Sequence, residues 1–303
     1  MELSPLNLIL INANIISLDP FCPQATWVAI EKDKIVSIGY GKDWKNLTDK
    51  NTGILDCSGK TVIPGLIDAH LHLVSYAKSL VTPDLSPGKN VHSISDIQSI
   101  IRNCSRNRPS GQWIFGRGYN EFYLAEKRHP NRWDLDQVVP DHPVRLTHRS
   151  GHAHVLNTMA LKLVGITRET GDPEGGIIER DLKTGEPTGL LYEMGDFLSD
   201  RIPPLAPAAL ERGLQLANQE LVSRGITSIQ DASSRNDTKQ WELLKFWKES
   251  GILHPRVNLM MGIYAFKKNN KQYHLNELNE NQLRLGAVKI ILDDTTGRLH
   301  PSQ

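Results

Sequence analysis

Three shortages stand out in this sequence: little cysteine, little net charge and no long apolar run. Each removes a class of protein. The three cysteines among 303 residues, Cys22, Cys57 and Cys104, are widely spaced and form no C-x-x-C pair. An odd, scattered trio predicts neither a disulfide framework nor a zinc–thiolate site, so the three read as reduced structural residues. Thirty-five Lys and Arg face 34 Asp and Glu, for a net charge of +1, and the basic residues are dispersed. That distribution offers no electrostatic footprint for nucleic acid or for an anionic membrane. No apolar stretch approaches the ~20 residues that span a bilayer. The apolar start, Leu6 to Leu18, is interrupted by Asn7, Asn12 and Asn14 and lacks a basic leader and a small-residue cleavage site. A secretory signal is therefore not expected, and the cytoplasm is the expected location. Internal repeats and low-complexity tracts are also missing.

What is present is enough apolar material, 39% of residues, to bury a sizeable core. A length near 300 predicts two domains or one large α/β domain. Four short β-prone runs open the chain, at Asn7–Ser17, Ala25–Ile30, Lys34–Ile38 and Ile54–Cys57. A charged hairpin turn, Glu31-Lys32-Asp33, joins the middle two, and Ser58-Gly59-Lys60 follows the last. After Pro64-Gly65, Leu66–Leu73 reads as a buried strand. Residues from about 80 to 150 are mixed. Ser95–Arg106 has helical spacing behind Ser93 or Ser95 as N-cap, and Trp113–Gly118 and Pro143–Thr147 look like strands. Gly151–Gly165 reads as a loop leading into a short helix at Thr158–Leu161, and Gly171–Gly189 as loop. Beyond it come a helix (Pro207–Arg224, closed by Gly225), a strand (Ile226–Gln230), a helix (Trp241–Ser250) and strands at Val257–Ile263 and Ala287–Leu292. Strand–helix alternation of this kind predicts parallel βα units.

The segment that carries chemistry is PGLIDAHLHL, Pro64–Leu73. Alternate residues of a strand share a face, so Asp68, His70 and His72 point one way and Ile67, Ala69 and Leu71 the other. Two imidazoles two residues apart can grip one ion from the same direction. As borderline ligands they suit Zn²⁺, and also Fe²⁺, Ni²⁺ or Mn²⁺. The C-terminal end of a strand is where parallel barrels keep their active sites. A carboxylate beside a metal-bound imidazole commonly fixes its orientation, which is the role expected of Asp68. Trp113, Tyr119 and Trp133 are candidates either for a hydrophobic substrate pocket or for ordinary core.

This segment resembles the first barrel strand of the amidohydrolase superfamily. Further stretches resemble its family 3 or YtcJ-like branch, which includes N-substituted formamide deformylases: Leu135–Leu161, Gly175–Glu193, GITSIQDAS at Gly225–Ser233 and GAVKIILDDTTG at Gly286–Gly297. The resemblance implies an α/β fold, the first part of a metal-dependent hydrolase (β/α)8 (TIM) barrel over residues 64–303. An insertion at about 80–205 interrupts it, and a small β-sandwich domain over residues 1–63 precedes it. It also implies that His70 and His72 ligate one or two divalent ions, zinc foremost. Lys289, if carboxylated by CO₂, would be a bridging ligand; unmodified, it would repel a metal. His152 would contact substrate or help orient a transition-state oxygen, while its neighbours His148 and His154 are expected to be structural or exposed. Asp231 would either steady the site or cap a helix, and Glu193 would accept a structural hydrogen bond. The family pattern has Asp-Gly where this chain has Asp293-Asp294.

The implied reaction is hydrolysis of an amide-like C–N bond in a small molecule by metal-activated water. Only four of the eight barrel strands are found, at Leu66–Leu73, Ile226–Gln230, Val257–Ile263 and Ala287–Leu292, so the barrel is expected to be incomplete. The family's general base and remaining histidine ligands belong to the later strands. Open strand edges favour association, which leaves three readings open: a truncated fragment, a chain that pairs with a complementing C-terminal half, or a homodimer. Two other readings stay open, a non-catalytic remnant and a deaminase-type aminohydrolase.

Overall fold

The computed structural model describes residues 7–106, 108–268 and 282–291. Contacts divide the chain into two units, Met1–Asp68 with Gly225–Ser228, and Ala69–Arg224 with Ile229–Gln303.

The first unit is built from short strands: β1 (Leu8–Ile11), β2 (Asn14–Ile16), β3 (Gln24–Ala25), β4 (Trp27–Glu31), β5 (Lys34–Gly39), β6 (Gly53–Asp56) and β7 (Thr61–Val62). They form two sheets, in the orders β5-β4-β1-β6 and β3-β2-β7. The run read as one strand over Asn7–Ser17 is broken at Asn12, whose backbone turns left-handed (φ 51). Asparagine tolerates that conformation because its short polar side chain bonds locally; here Nδ2 donates to Asp56 Oδ2 at 2.9 Å. One apolar cluster joins residues of both sheets, among them Leu10, Val28 and Ile38 from one and Ile15, Ala25 and Val62 from the other. The expected hairpin is present, with Glu31 opposite Lys34.

Next comes β8 (Leu66–Leu71), followed at once by α1 (Leu73–Leu80). The strand is shorter than the sequence suggested: it stops before His72, and Leu73 opens a helix. Gly65 introduces β8 where the chain passes close to Thr227; a Cβ there would lie 2.2 Å from Thr227 Oγ1, so no larger residue fits without a shift.

The stretch between α1 and residue 205 forms its own layer. It contains α2 (Ile94–Ser105), β9 (Ile114–Tyr119), α3 (Arg132–Asp136), β10 (Val144–His148), β11 (Ala153–Leu156), α4 (Thr158–Val164), β12 (Ile177–Arg180), β13 (Pro187–Tyr192) and α5 (Gly195–Ser199). The five strands make one sheet ordered β12-β13-β11-β10-β9. Segments read as loop at 151–189 thus supply three of its strands. Ser93 caps α2 by accepting from Asp96 N. Isoleucines 97 and 101 of α2 are fully buried in one cluster with Ile114, Val144, Leu146 and Val155 of the sheet.

Asn157 pins the corner between β10, β11 and α4. It is fully buried. Its Oδ1 accepts from Val144 N and Ala160 N, both at 3.0 Å, and its Nδ2 donates to Val139 O and His142 O at 3.2 and 2.8 Å.

Then follow α6 (Pro207–Ser223), β14 (Ile226–Asp231), α7 (Thr238–Glu249), β15 (Arg256–Gly262), α8 (Ile263–Lys268) and β16 (Leu283–Lys289). Strand β16 starts four residues before the expected Ala287, and Leu292 lies outside the described residues. The sheet order is β16-β15-β14-β8. Leu66 N donates to Gly225 O and Ala232 N to Leu71 O, so β8 and β14 run the same way; β15 and β16 are also parallel. Helices α1 and α6 pack together. Gly213 permits it: a Cβ there would come within 2.4 Å of the Ala77 carbonyl oxygen.

Replacing Asn157 by alanine strands four buried backbone groups. Each unsatisfied group costs about 1–3 kcal/mol. Asn157→Ala is expected to lower unfolding free energy by about 3 kcal/mol or more, read as a lower urea midpoint at unchanged slope. A midpoint within error of wild type would contradict this role.

Candidate metal centre

At the C-terminal end of β8 the two histidines of the motif sit side by side. The His70 and His72 ring centroids are 5.3 Å apart, with the planes at 85°. Both residues are exposed. His72 is not part of the strand. It is the residue before α1, with φ −110 and ψ 82, and its side chain makes no cap to its own helix. The simple alternation expected of Asp68, His70 and His72 therefore holds for the first two only. Asp68 is half-buried on β8.

The cap of α1 comes from another strand. Asp231, the last residue of β14, is fully buried. Its Oδ2 accepts from Leu73 N at 3.3 Å, one of the donors that a helix start leaves without an intrahelical partner. Its Oδ1 accepts from Ser233 N at 3.0 Å, Ser233 Oγ at 2.6 Å and Asn236 Nδ2 at 3.1 Å. Ser233 Oγ in turn lies 3.1 Å from His72 Nδ1. Asp231 thus caps the start of a helix, and through Ser233 it reaches His72. Asn236 also donates to Met260 O at 3.0 Å, tying this corner to β15.

Lys289 ends β16, half-buried, opposite Gly262 of β15. Asp293 and Asp294 lie outside the described residues. Among the described residues no group of three or more His, Cys, Asp or Glu surrounds a common point suited to a metal ion. The chemistry present at the strand end is thus a pair of imidazoles. Such a pair fits a borderline divalent ion. Since His72 is engaged through Nδ1, its Nε2 is the nitrogen left for coordination.

His152 lies on the five-stranded layer, in the turn before β11. Its Nδ1 is 3.0 Å from Glu193 Oε2, and the side chains are 68% and 58% exposed. Glu193 adopts a left-handed backbone (φ 54) and donates its N–H to His152 O at 2.8 Å. Its side chain therefore pairs with His152 across the turn, an acceptor role as expected. His148 is 11% exposed, with Nε2 2.8 Å from Glu121 Oε2, off hydrogen-bond geometry. Burial is the main cause that holds the His148 imidazole below its ordinary range, against the pull of Glu121. Tyr119 is fully buried and hydrogen-bonded through its hydroxyl to His129 Nδ1 at 2.9 Å, so it belongs to the core and not to a pocket wall. Burial is likewise the main reason its phenol is pushed well above the ordinary range. Trp113 stacks on Phe115 at 6.0 Å within an apolar cluster. Trp133 is 41% exposed under the Arg132 guanidinium, 4.9 Å away. Ser233, Asn236, Glu121 and His129 are functional-type residues that reading the sequence missed. GITSIQDAS contained Ser233, but nothing local linked it to His72.

With this geometry in place, comparison with known proteins identifies the class. The chain matches the amidohydrolase family over residues 53–302 and belongs to it. It is 31% identical to an N-substituted formamide deformylase of Arthrobacter pascens, over 98% of this chain and 55% of that protein. With the putative amidohydrolase YtcJ of Bacillus subtilis it shares 30% identity, over 80% of this chain and 45% of that protein. These two place it in the YtcJ-like branch. The chain spans about half the length of these curated relatives. In fold it is similar to a metal-dependent hydrolase from Pyrococcus furiosus, with TM-score 0.70 at 24% identity, over 93% of this chain and 55% of that one.

His154 supplies a pH signature. It is buried, and burial, aided by Arg145, lowers its pKa to about 3. The unfolded imidazole binds a proton below about pH 6.5, whereas the folded one stays neutral to much lower pH. The unfolded state then holds more protons, so stability is full above about 6.5 and falls as pH drops. The slope is at most about 1.4 kcal/mol per pH unit. His154→Gln should flatten the fall of the urea midpoint between about pH 6.5 and 4. Equal slopes in both proteins would refute a buried neutral imidazole.

Proposed function

We propose that this chain carries the metal-binding part of a metal-dependent amidohydrolase that hydrolyses an amide-like C–N bond in a small molecule. The observation that carries the reading is the imidazole pair His70 and His72, 5.3 Å apart at the C-terminal end of β8 in a parallel sheet. Membership of the amidohydrolase family and the deformylase relative support the choice of bond. His70 and His72 would hold a divalent ion, zinc foremost and iron, nickel or manganese as alternatives, which would supply Lewis-acid polarisation of a carbonyl and a water acidified to a pKa of about 7.

The chain's own residues have these parts. His70 and His72 donate ring nitrogens. Asp231 and Ser233 hold His72 in place, and Asp68 steadies the strand's ligand face. Lys289 joins the ligand set only as a carbamate, because an ammonium would repel the ion. To His152, exposed beside Glu193, we assign contact with substrate or help in orienting a transition-state oxygen.

The sheet also bears on assembly. Strand residues Leu66 and Ile67 are 49% and 71% exposed, and Ile290 just past β16 is 49% exposed. Apolar strand faces in water favour association. A second copy, or a complementing segment with the later strands of the barrel, would cover them. We place the reaction in the cytoplasm. In support, Cys22, Cys57 and Cys104 are all free thiols, and no helix among the described residues is long and apolar enough to cross a membrane.

Elemental analysis of chain purified without chelator tests the reading. Near-stoichiometric metal is expected in the wild type and its loss in a His70→Ala, His72→Ala double variant. Equal metal content in both would remove the two histidines from the site.

A further inference from the structure

The hydroxyl of Ser233 has one proton and two claimants. Asp231 Oδ1 is 2.6 Å from Oγ on one side, and His72 Nδ1 is 3.1 Å away on the other. A carboxylate offers no proton of its own, while an imidazole nitrogen can either donate or accept. Asp231 cannot turn to find another arrangement, because Leu73 N, Ser233 N and Asn236 Nδ2 hold both of its oxygens. The hydroxyl proton therefore goes to Asp231, and Oγ is left with lone pairs only. The partner across 3.1 Å must be a donor, so His72 carries its proton on Nδ1.

The opposite tautomer would set two lone pairs against each other. Relieving that clash by rotating the hydroxyl would take a donor from a fully buried carboxylate, which is costly. We infer that Ser233 is a positioning residue. Oriented by Asp231, it locks His72 in the Nδ1–H tautomer and so keeps the Nε2 lone pair ready for a metal. The inference rests on the reading of His72 as a ligand, but its tautomer claim can be tested without metal. Asp231 ends β14 and Ser233 follows two residues later, while 161 positions separate His72 from Ser233.

The experiment uses the full chain, stripped of metal, with ¹⁵N-labelled histidine. Long-range ¹H–¹⁵N correlation is recorded well above the imidazole pKa of about 6.5, with His72 assigned by its loss in His72→Gln. The wild type should show a pyrrole-type Nδ1 and a pyridine-type Nε2. Ser233→Thr, which keeps the hydroxyl, should show the same. Ser233→Ala should relax to the Nε2–H-rich mixture of an unrestrained ring. Asp231 keeps its other three donors there, and circular dichroism checks that the fold is retained. Zinc affinity, by competition with a chromophoric chelator, should fall about 10–100-fold in Ser233→Ala and be restored in Ser233→Thr. An Nε2–H ring in the wild type, or a ring unchanged in Ser233→Ala, would overturn the tautomer lock. A shifted tautomer with unchanged zinc affinity would overturn the positioning role. If no protein binds zinc while the tautomer behaves as described, it is the ligand reading of His72 that fails, and the positioning role with it.

Discussion

One buried carboxylate organises the histidine-bearing edge of this chain. A polar group sealed from water must find partners or cost stability. Asp231 finds four donors: Leu73 N at the start of α1, Ser233 N, Ser233 Oγ and Asn236 Nδ2. Satisfying that carboxylate decides several features at once. It captures a free donor of α1, so the chain turns from strand to helix at His72. It curls the loop after β14 back on itself, and through Asn236 it draws in β15. The start of α1 and the ends of β14 and β15 are thereby fixed to one another, at the end where a parallel sheet keeps its chemistry.

The imidazole pair inherits its geometry from that arrangement. Were His72 still on the strand, its ring would stand on the same face as His70, two residues along. Leaving the strand turns the two rings perpendicular, at 85°, and frees His72 Nδ1 to meet Ser233. A ligand held by a second hydrogen bond loses less freedom when a metal arrives. His70 and His72 are exposed and Asp231 fully buried. The reactive groups thus face outward while the group that steers one of them is shielded from competing water.

Much of this could be read from residue pattern alone, and the failures share a cause. PGLIDAHLHL announced the strand and its pair of histidines because both are local features of the sequence, although His72 falls just past the strand. Helices such as Pro207–Ser223 were legible from spacing and from the glycine that ends them. The sheet strands at Ala153–Leu156, Ile177–Arg180 and Pro187–Tyr192 were read as loop because Gly, Pro and charge crowd around them. Strand pairing holds them instead: β13 pairs with both β11 and β12, and β11 with β10. The helix after His72 was missed because Leu71, Leu73 and Val74 suit a buried strand equally well, and the deciding cap comes from Asp231. Ser233 left no local trace, since its meaning lies wholly in what it touches.

The account stands on the claim that His70 and His72 bind a metal together. X-ray absorption at the zinc edge of the zinc-loaded chain tests it most directly. It should show imidazole scattering from two histidines at a Zn–N distance of about 2.0–2.1 Å, reduced to one in His72→Ala. A zinc environment without imidazole, or one unchanged when both histidines are replaced by alanine, would contradict it.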